Sequence, residues 1–242
     1  MKTPVYCLPF AAGSRFSYQP LVRRLPDSLR FVPLELPGRG FRAAEPALFT
    51  IENAVDDVFR QFERATPAEP YALYGHSMGS MVGYLLLHRM QEAGFPLPVR
   101  VFFSGRGGPI IPEKERQVHL LPRPQLIEKL AKMGGDLSPL LANERAWALY
   151  EPVIRADMAV LDSFVYEDVT RPPLTIPATI LIGSHDLYTV DEAALWQREF
   201  ADPITLHCLD GGHFFIFDHP QTIGQIIAQD LNRTLATGLT LV

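Results

Sequence analysis

Residues 75–79 have the composition and spacing of a nucleophilic serine. They read Gly75-His76-Ser77-Met78-Gly79, between a strand-like run at 71–74 and a helix-like run at 80–87. A strand that turns sharply into a helix strains the serine backbone, and a Cβ on either flanking residue would collide with the neighbouring main chain. The turn would lift the Ser77 hydroxyl clear of a sheet, where a base can reach it. A glycine-rich turn with a capping serine is the alternative explanation.

An acid and a histidine follow Ser77, each in a loop just after a predicted strand. The apolar run 178–183 is typical of a buried parallel strand and leads to Asp186. The run 204–209 leads to paired glycines and His213. The chain order Ser, Asp, His is that of α/β-hydrolases and differs from the other serine-triad orders. We therefore predict Ser77 as nucleophile, His213 as base and Asp186 as the acid that orients the base.

Other acids and histidines stay open as alternatives. Asp210 is the strongest rival acid because it lies so near His213 in sequence. The other rival acids in predicted loops are Asp191, Asp202 and Asp218. Packing, surface or loop positions better explain the remaining six of the seven histidines, which are His76, His88, His119, His185, His207 and His219.

The segment from Leu8 to Ser14 follows the first predicted strand and contains small residues. Small side chains let backbone N–H groups approach a tetrahedral intermediate closely. We predict that the amides of Ala11 and Met78, the residue after the nucleophile, form the oxyanion hole. A simple tight turn is the alternative for this segment.

The elements that must position these groups alternate between strand and helix. This alternation predicts an α/β fold with a mainly parallel sheet flanked by helices. We expect strands at 4–9, 30–35, 71–75, 99–104, 178–183 and 204–209. We expect helices at 17–25, 51–65, 78–93, 188–200 and 220–235.

One segment between the fourth and fifth predicted strands interrupts the alternation. It runs for roughly seventy residues with helical periodicity, far longer than an ordinary connection. We expect a helical lid insertion over the serine at about 110–170, although the helices could instead only pack on the sheet. A lid built around the break at Gly134-Gly135 could admit an elongated apolar acyl chain.

Composition indicates one globular domain over residues 1–242. Hydrophobic residues make up 47%, charged residues 20%, and the net charge is −5. Without a basic cluster or an apolar run of roughly 18 residues, neither nucleic acid nor membrane is an expected partner. Cys7 and Cys208 both lie in strand-like runs and are expected to be buried free thiols rather than a disulfide or metal site. We expect a cytoplasmic protein.

Five blocks spread over nearly the whole chain carry a family resemblance. They read LPFAAGS at 8–14, ELPGRG at 35–40, YGHSMG at 74–79, IRAD at 154–157 and GGHFF at 211–215. Together they resemble the type II, or external, thioesterases of polyketide and nonribosomal peptide synthetases. The Leu-Pro-Gly-Arg-Gly and Gly-Gly-His-Phe-Phe blocks are more specific than the serine motif. One departure is Ala12, where that family more often has glycine.

The resemblance implies hydrolysis of aberrant or stalled acyl groups from the phosphopantetheine arm of acyl or peptidyl carrier protein domains. The reaction would pass through an acyl-serine and would require neither metal nor redox cofactor. Brief docking on many carrier domains favours a monomer. A carboxylesterase or lipase acting on free small esters is the alternative, and a non-catalytic scaffold is an alternative of another class.

Three arginines are candidates for contact with a carrier domain. Arg39, Arg42 and Arg106 are predicted near the carboxyl end of the sheet, where they could meet an acidic carrier domain or its phosphate. Ordinary solvated charge is the alternative for these arginines. Arg155 and Asp157 could instead form a structural ion pair within the insertion, and we assign them no catalytic role.

Overall fold

A six-stranded parallel sheet forms the frame of the molecule. The computed structural model describes residues 2–67, 69–114, 116–134, 138–166 and 171–238. Within these ranges the strands are β1 Thr3–Leu8, β2 Leu29–Pro33, β3 Ala72–His76, β4 Arg100–Ser104, β5 Ala178–Gly183 and β6 Thr205–Leu209. Their order across the sheet is β2-β1-β3-β4-β5-β6, and every neighbouring pair is parallel.

Helices cover both faces of this sheet. The α-helices are α1 Gln19–Val22, α2 Ile51–Ala65, α3 Met78–Glu92, α4 Arg123–Lys132, α5 Ser138–Leu141, α6 Glu144–Ser163, α7 Val190–Ala194, α8 Phe215–Asp218 and α9 Pro220–Gly238. Short 3₁₀ turns lie at Gly40–Arg42, Val118–Leu120 and Leu195–Glu199. None of the helices in the described ranges is both long and apolar enough to cross a membrane.

Two apolar cores lie on opposite sides of the sheet. Alternation along β1 sends Tyr6 and Leu8 to one core and Val5 and Cys7 to the other, as the period of two in a strand requires. The first core is closed mainly by α2, α3, α4 and α6, and the second by α1, α8 and α9. Because both faces are covered, the strands are almost continuously apolar.

The segment between β4 and β5 contains helices α4, α5 and α6. Helix α6 begins at an Asn143 cap, whose side chain accepts from the amides of Arg145 and Ala146, and it continues through Pro152 to Ser163. The predicted break at Gly134-Gly135 falls partly outside the described residues, since 135–137 are not among them.

The mainly parallel sheet with flanking helices is the predicted fold class, and several boundaries differ from expectation. The helix predicted at 17–25 is only Gln19–Val22, with Pro20 in its first turn, where a helix tolerates proline. The helix predicted at 188–200 begins after the Thr189 cap and tightens into a 3₁₀ turn from Leu195. Cys208 was expected to be buried and is exposed, because β6 is an edge strand.

Candidate active site

Ser77 lies in the turn between β3 and α3, with φ 53° and ψ −116°. This conformation is costly for a residue with a side chain and persists only where the surroundings enforce it. The Ser77 amide donates to the carbonyl of Ser104 at 2.7 Å, which ties the turn to the end of β4. A Cβ on Gly75 would lie 2.3 Å from the Gly79 carbonyl oxygen, and one on Gly79 would lie 2.9 Å from the Leu8 carbonyl oxygen. Both flanking positions therefore require glycine.

His213 connects Ser77 to Asp186. Its Nε2 lies 3.0 Å from the Ser77 hydroxyl oxygen, and its Nδ1 lies 2.7 Å from Oδ1 of Asp186. An ionised carboxylate only accepts hydrogen bonds, so Nδ1 carries the proton and Nε2 is free to accept from the serine. The Asp186 side chain is fully buried, and its Oδ1 also accepts from the Leu187 amide at 2.6 Å. The three predicted residues thus lie in one hydrogen-bonded chain.

The loops that carry the acid and the base are bonded directly to each other. The Ser184 amide donates to the Leu209 carbonyl at 2.7 Å, and the His185 amide donates to the Gly211 carbonyl at 2.9 Å. Gly183 lets them approach, since a Cβ there would lie 2.6 Å from the Gly211 carbonyl oxygen. The separation of Asp186 and His213 is therefore set by main-chain contacts.

The rival residues have other partners. Asp210 is exposed, accepts from the Ser184 hydroxyl at 3.0 Å and lies 3.8 Å from His185. His119 lies 2.7 Å from Asp162. Within the described ranges, no group of three or more His, Cys, Asp or Glu side chains is placed to hold a metal ion.

His76 is a neutral neighbour of the proposed base. It is fully buried, its Nδ1 lies 2.9 Å from the Ser104 hydroxyl, and its ring centroid lies 5.0 Å from that of His213. Burial, assisted by the nearby His213, holds the pKa of His76 well below its usual value. His76 therefore packs beside His213 without adding a competing positive charge.

The loop after β1 lies beside the serine. Ala11 and Ala12 line the same cavity as Ser77, and Met78 begins α3 directly after it. Ala12 has φ 61°, a left-handed conformation that favours glycine, which explains why glycine suits this position. Its amide donates to Oδ2 of Asp157 at 2.7 Å and so is already engaged. The amides of Ala11 and Met78 remain the predicted oxyanion donors.

A small apolar cavity of about 100 Å³ opens over Ser77. Helix α4 and the residue after it contribute Leu130 and Met133. The side chains that α6 contributes are Ile154, Met158 and Leu161. Residues of the insertion therefore line the same cavity as Ser77, and the admission of an elongated acyl chain stays a prediction. A larger, polar hollow of about 500 Å³ between α2 and α3 shares none of these lining residues.

The arginines expected to face a carrier domain are engaged within the protein. Arg39 is 5% exposed and pairs with Asp157 at 2.6 Å, and Arg106 is 3% exposed and pairs with Glu113 at 2.7 Å. Arg42 is bonded to Glu45 and Asp57. Burial contradicts the carrier-facing role for Arg39 and Arg106, whereas Arg42 is partly exposed and its role stays a prediction.

The expected Arg155–Asp157 pair is also wrong. The guanidinium of Arg155 instead binds Glu151 one turn earlier, at 2.7 Å. Arg155 and Asp157 are only two positions apart on α6, so their side chains point in different directions.

Comparisons with known proteins identify the family of the chain. A family model described as the thioesterase domain matches residues 3–231. The chain therefore belongs to the thioesterase family. It is 27% identical to the gramicidin S biosynthesis protein GrsT of Aneurinibacillus migulanus, over 97% of this chain and 91% of that protein.

Solved structures specify the relationship further. The type II thioesterase BorB from the borrelidin biosynthetic cluster is 30% identical, with a TM-score of 0.81 over 96% of this chain and 92% of that one. ClbQ from the colibactin NRPS/PKS pathway is 27% identical, with a TM-score of 0.87 over 98% of this chain and 100% of that one. The α/β-hydrolase fold and the type II thioesterase resemblance predicted from the sequence are thereby confirmed.

Proposed function

We propose that the chain is a serine thioesterase that releases aberrant or stalled acyl groups from the phosphopantetheine arm of acyl and peptidyl carrier protein domains. The observation that carries the proposal is the hydrogen-bonded chain from Ser77 through His213 to Asp186 beneath an apolar cavity. Relatives of the chain belong to polyketide and nonribosomal peptide clusters, which supports a carrier-bound substrate.

Acylation begins at the Ser77 hydroxyl. His213 Nε2 takes its proton while the serine oxygen attacks the thioester carbonyl carbon. Negative charge collects on the former carbonyl oxygen, where the amides of Ala11 and Met78 would donate to it. The C–S bond then breaks, and the imidazolium returns the proton to the departing thiolate of the phosphopantetheine arm. Buried Asp186 stabilises the imidazolium during this step.

Deacylation repeats the same steps with water as the nucleophile. His213 takes a proton from water, the hydroxyl oxygen attacks the acyl-serine ester, and the second tetrahedral intermediate uses the same oxyanion hole. Collapse breaks the bond to the Ser77 oxygen, which regains its proton from His213. The products are a carboxylic acid and the free enzyme, and the steps use only the chain's own groups and water.

The decisive experiment compares substrates and variants. Release of acetyl, butyryl and malonyl groups is measured from loaded carrier protein, from acyl-N-acetylcysteamine and from p-nitrophenyl esters. We expect carrier thioesters to turn over faster than the small substrates. Ser77→Ala should abolish turnover, and Asp186→Asn should lower kcat by about 10³–10⁴ because the imidazole loses its orienting partner.

Each other outcome supports an alternative. Faster turnover of free esters would favour a carboxylesterase or lipase. A wild-type protein that neither hydrolyses these substrates nor reacts with a fluorophosphonate at Ser77 would favour a non-catalytic scaffold. Activity that survives Ser77→Ala would contradict the assigned nucleophile.

We also propose that the enzyme is a cytoplasmic monomer whose 242 residues form a single domain. A monomer leaves the serine accessible to many separate carrier domains. Sedimentation equilibrium should therefore give a mass near 27.1 kDa across concentrations. Unfolding in urea should be a single transition by fluorescence and by circular dichroism. A concentration-dependent mass would contradict the monomer, and two separated transitions would contradict the single domain.

A further inference from the structure

A buried ion pair joins the loop after β2 to helix α6. The Arg39 guanidinium donates twice to the Asp157 carboxylate, from Nη1 to Oδ2 and from Nη2 to Oδ1, each at 2.6 Å. The two side chains are only 4% and 1% exposed. This bidentate geometry is the strongest form of an arginine–carboxylate contact, and it fixes both groups in orientation as well as distance.

Both members of the pair also hold the loop beside the serine. Asp157 Oδ2 accepts from the Ala12 amide at 2.7 Å, and Arg39 Nη1 donates to the Gly13 carbonyl at 3.1 Å. The same loop is closed by a turn in which the Gly13 amide donates to the Phe10 carbonyl at 2.8 Å. The peptide groups immediately after Ala11 are therefore oriented by two charges that lie far from them in sequence.

Stability alone is a weak reason to retain such a pair. Removing two charges from water costs about as much as their attraction returns, and apolar replacements of buried pairs are often as stable. Here the Nε of Arg39 is in addition buried without a hydrogen-bond partner among the described residues. A role that depends on geometry accounts for the arrangement better.

We infer that Arg39 and Asp157 are positioning residues that hold the Phe10–Gly13 loop in the conformation that directs the Ala11 amide at the oxyanion. The inference rests on the proposed function, because that loop matters only if an acyl intermediate forms at Ser77. Oxyanion donors act through prior alignment, and a misplacement of about 1 Å can cost roughly a hundredfold in rate. The pair acts through the loop and does not itself contact substrate.

The same ion pair joins the cavity over Ser77, here called the acyl cavity, to the Phe10–Gly13 loop, here called the oxyanion loop. Helix α6 carries Asp157 and also the cavity-lining residues Ile154, Met158 and Leu161. From its position on α6, Asp157 reaches both the Ala12 amide and the Arg39 guanidinium. The ion pair would thus fix the position of the cavity wall on α6 relative to the oxyanion loop.

Asp157→Asn is the first test. The N–H₂ group of asparagine would stand either in place of Oδ1, against Arg39 Nη2, or in place of Oδ2, against both Arg39 Nη1 and the Ala12 amide. The bidentate contact is therefore lost in either orientation. We expect kcat per active site to fall about 10- to 100-fold, with KM within about threefold of wild type. The rate of Ser77 labelling by a fluorophosphonate should fall in parallel, because its phosphoryl oxygen uses the same donors.

Glu144→Gln is the matched control. Glu144 is on the same helix and also forms a bidentate pair, with Arg123 at 2.7 and 2.9 Å, but both side chains are exposed. We expect kcat and labelling within twofold of wild type. Equal effects of Glu144→Gln and Asp157→Asn would overturn the inference, because any loss of charge on α6 would then be sufficient.

A double variant separates positioning from a purely structural role. Arg39→Met with Asp157→Leu fills the buried space without charge, so we expect thermal stability near that of wild type with the catalytic defect retained. A stable double variant with kcat within twofold of wild type would overturn the inference. If the double variant does not fold, the kinetics of Asp157→Asn test the inference. If Asp157→Asn also fails to fold, the milder Arg39→Lys tests it, because lysine keeps the charge but loses the bidentate contact.

The labelling assay distinguishes this inference from the proposed function. A wild-type enzyme that reacts with fluorophosphonate but does not release carrier-bound acyl groups would contradict the proposed substrate. The dependence of labelling on Asp157 would still be measured in that case, and labelling unaffected by Asp157→Asn would contradict the positioning role.

Discussion

Gly75 is the residue at which the serine turn tolerates a side chain least. A Cβ there would lie 2.3 Å from the carbonyl oxygen and 2.5 Å from the carbonyl carbon of Gly79, and main-chain atoms cannot rotate away. We predict that Gly75→Ala lowers kcat at least a hundredfold, because the turn must shift and move Ser77 from its place beside His213. It should also destabilise the fold by about 1–3 kcal/mol through overpacking. Steady-state kinetics and urea unfolding measure both effects.

Gly94 is the control for this change. It follows α3, has φ +63°, and a Cβ there would meet nothing within 4 Å. Gly94→Ala should therefore cost about 1–2 kcal/mol in backbone strain and leave kcat unchanged. A Gly75→Ala enzyme as active as Gly94→Ala would show that the turn does not depend on the flanking glycine.

His88 makes the stability of the fold depend on pH. It is 6% exposed on α3, and burial, with the positive charge of Arg171 as the smaller cause, lowers its pKa from 6.5 to about 4. The unfolded chain therefore binds a proton near pH 6.5 that the folded chain binds only near pH 4. The unfolded state binds more protons in this window, so His88 makes stability fall as the pH falls from 6.5 to 4.

His88→Phe tests this dependence. Phenylalanine keeps a ring near Tyr84, whose centroid lies 4.8 Å from that of His88, and cannot take up a proton. We predict that the free energy of unfolding of the variant, relative to that of wild type, is higher at pH 5 than at pH 8. Urea titrations at the two pH values measure this difference. The pH 8 measurement controls for packing, since His88 is neutral in both states there. An equal difference at the two pH values would contradict the pKa assignment.

The place of each triad residue just after a strand-like run was the predictable part of the candidate site. Ser77, Asp186 and His213 each follow a strand-like run, so their shared position at the carboxyl edge of a sheet could be inferred from local pattern. The partner of Arg39 could not, because Asp157 is 118 residues away and meets it only when the insertion folds back. The expected pairing with Arg155 failed because it relied on sequence proximity.

At the level of elements, apolar runs predicted strands to within about two residues, and helix ends were less predictable. Strand β5 matches its expected range because all of its residues are buried. The second half of the helix expected at 188–200 is instead a 3₁₀ turn. That turn buries Trp196 and directs its Nε1 to the Arg106 carbonyl at 3.0 Å. Such tertiary contacts override local propensity and are not encoded in hydrophobic periodicity.

Helix α6 should determine which acyl chains are accepted. Met158 is 5% exposed and lines the cavity of about 100 Å³. We predict that Met158→Ala raises the ratio of kcat/KM for hexanoyl over acetyl carrier thioesters about tenfold, because removed side-chain atoms leave room for methylene groups. The free energy of unfolding should fall by about 2–5 kcal/mol, so the assay belongs well below the thermal midpoint.

Leu149→Ala is the matched control on the same helix, since Leu149 is 74% exposed and does not line the cavity. It should leave the chain-length ratio unchanged. An unchanged ratio in Met158→Ala would mean that the acyl chain occupies a different part of the molecule.

For the whole molecule, the parallel sheet explains why one edge carries the entire site. The loops after β1, β3, β5 and β6 all leave the sheet at the carboxyl ends of their strands. They carry in turn Ala11, the predicted oxyanion donor, and then Ser77, Asp186 and His213. Ligands of open α/β sheets bind at this edge. The strand order β2-β1-β3-β4-β5-β6 could not be read from periodicity, which identifies strands without saying which ones are neighbours.

Because of the same sheet order, the reactivity of each cysteine towards a thiol reagent measures the exposure of a different part of the fold. Cys7 is fully buried in β1, inside the sheet, whereas Cys208 is exposed on the edge strand β6. Burial raises the pKa of the Cys7 thiol well above its usual value, which suppresses the reactive thiolate. We predict that a thiol reagent modifies Cys208 rapidly in the native enzyme and Cys7 much more slowly, because Cys7 reacts only when the fold opens.

Cys208→Ser assigns the two reactions. It should abolish the rapid phase and leave the slow one, whose rate in native buffer then reports the opening of the central sheet. Because β1 is covered by helices on both faces, that rate should rise with urea in step with global unfolding. A Cys7 that reacts much faster than the chain unfolds would mean that β1 detaches from the sheet on its own, taking the oxyanion loop with it.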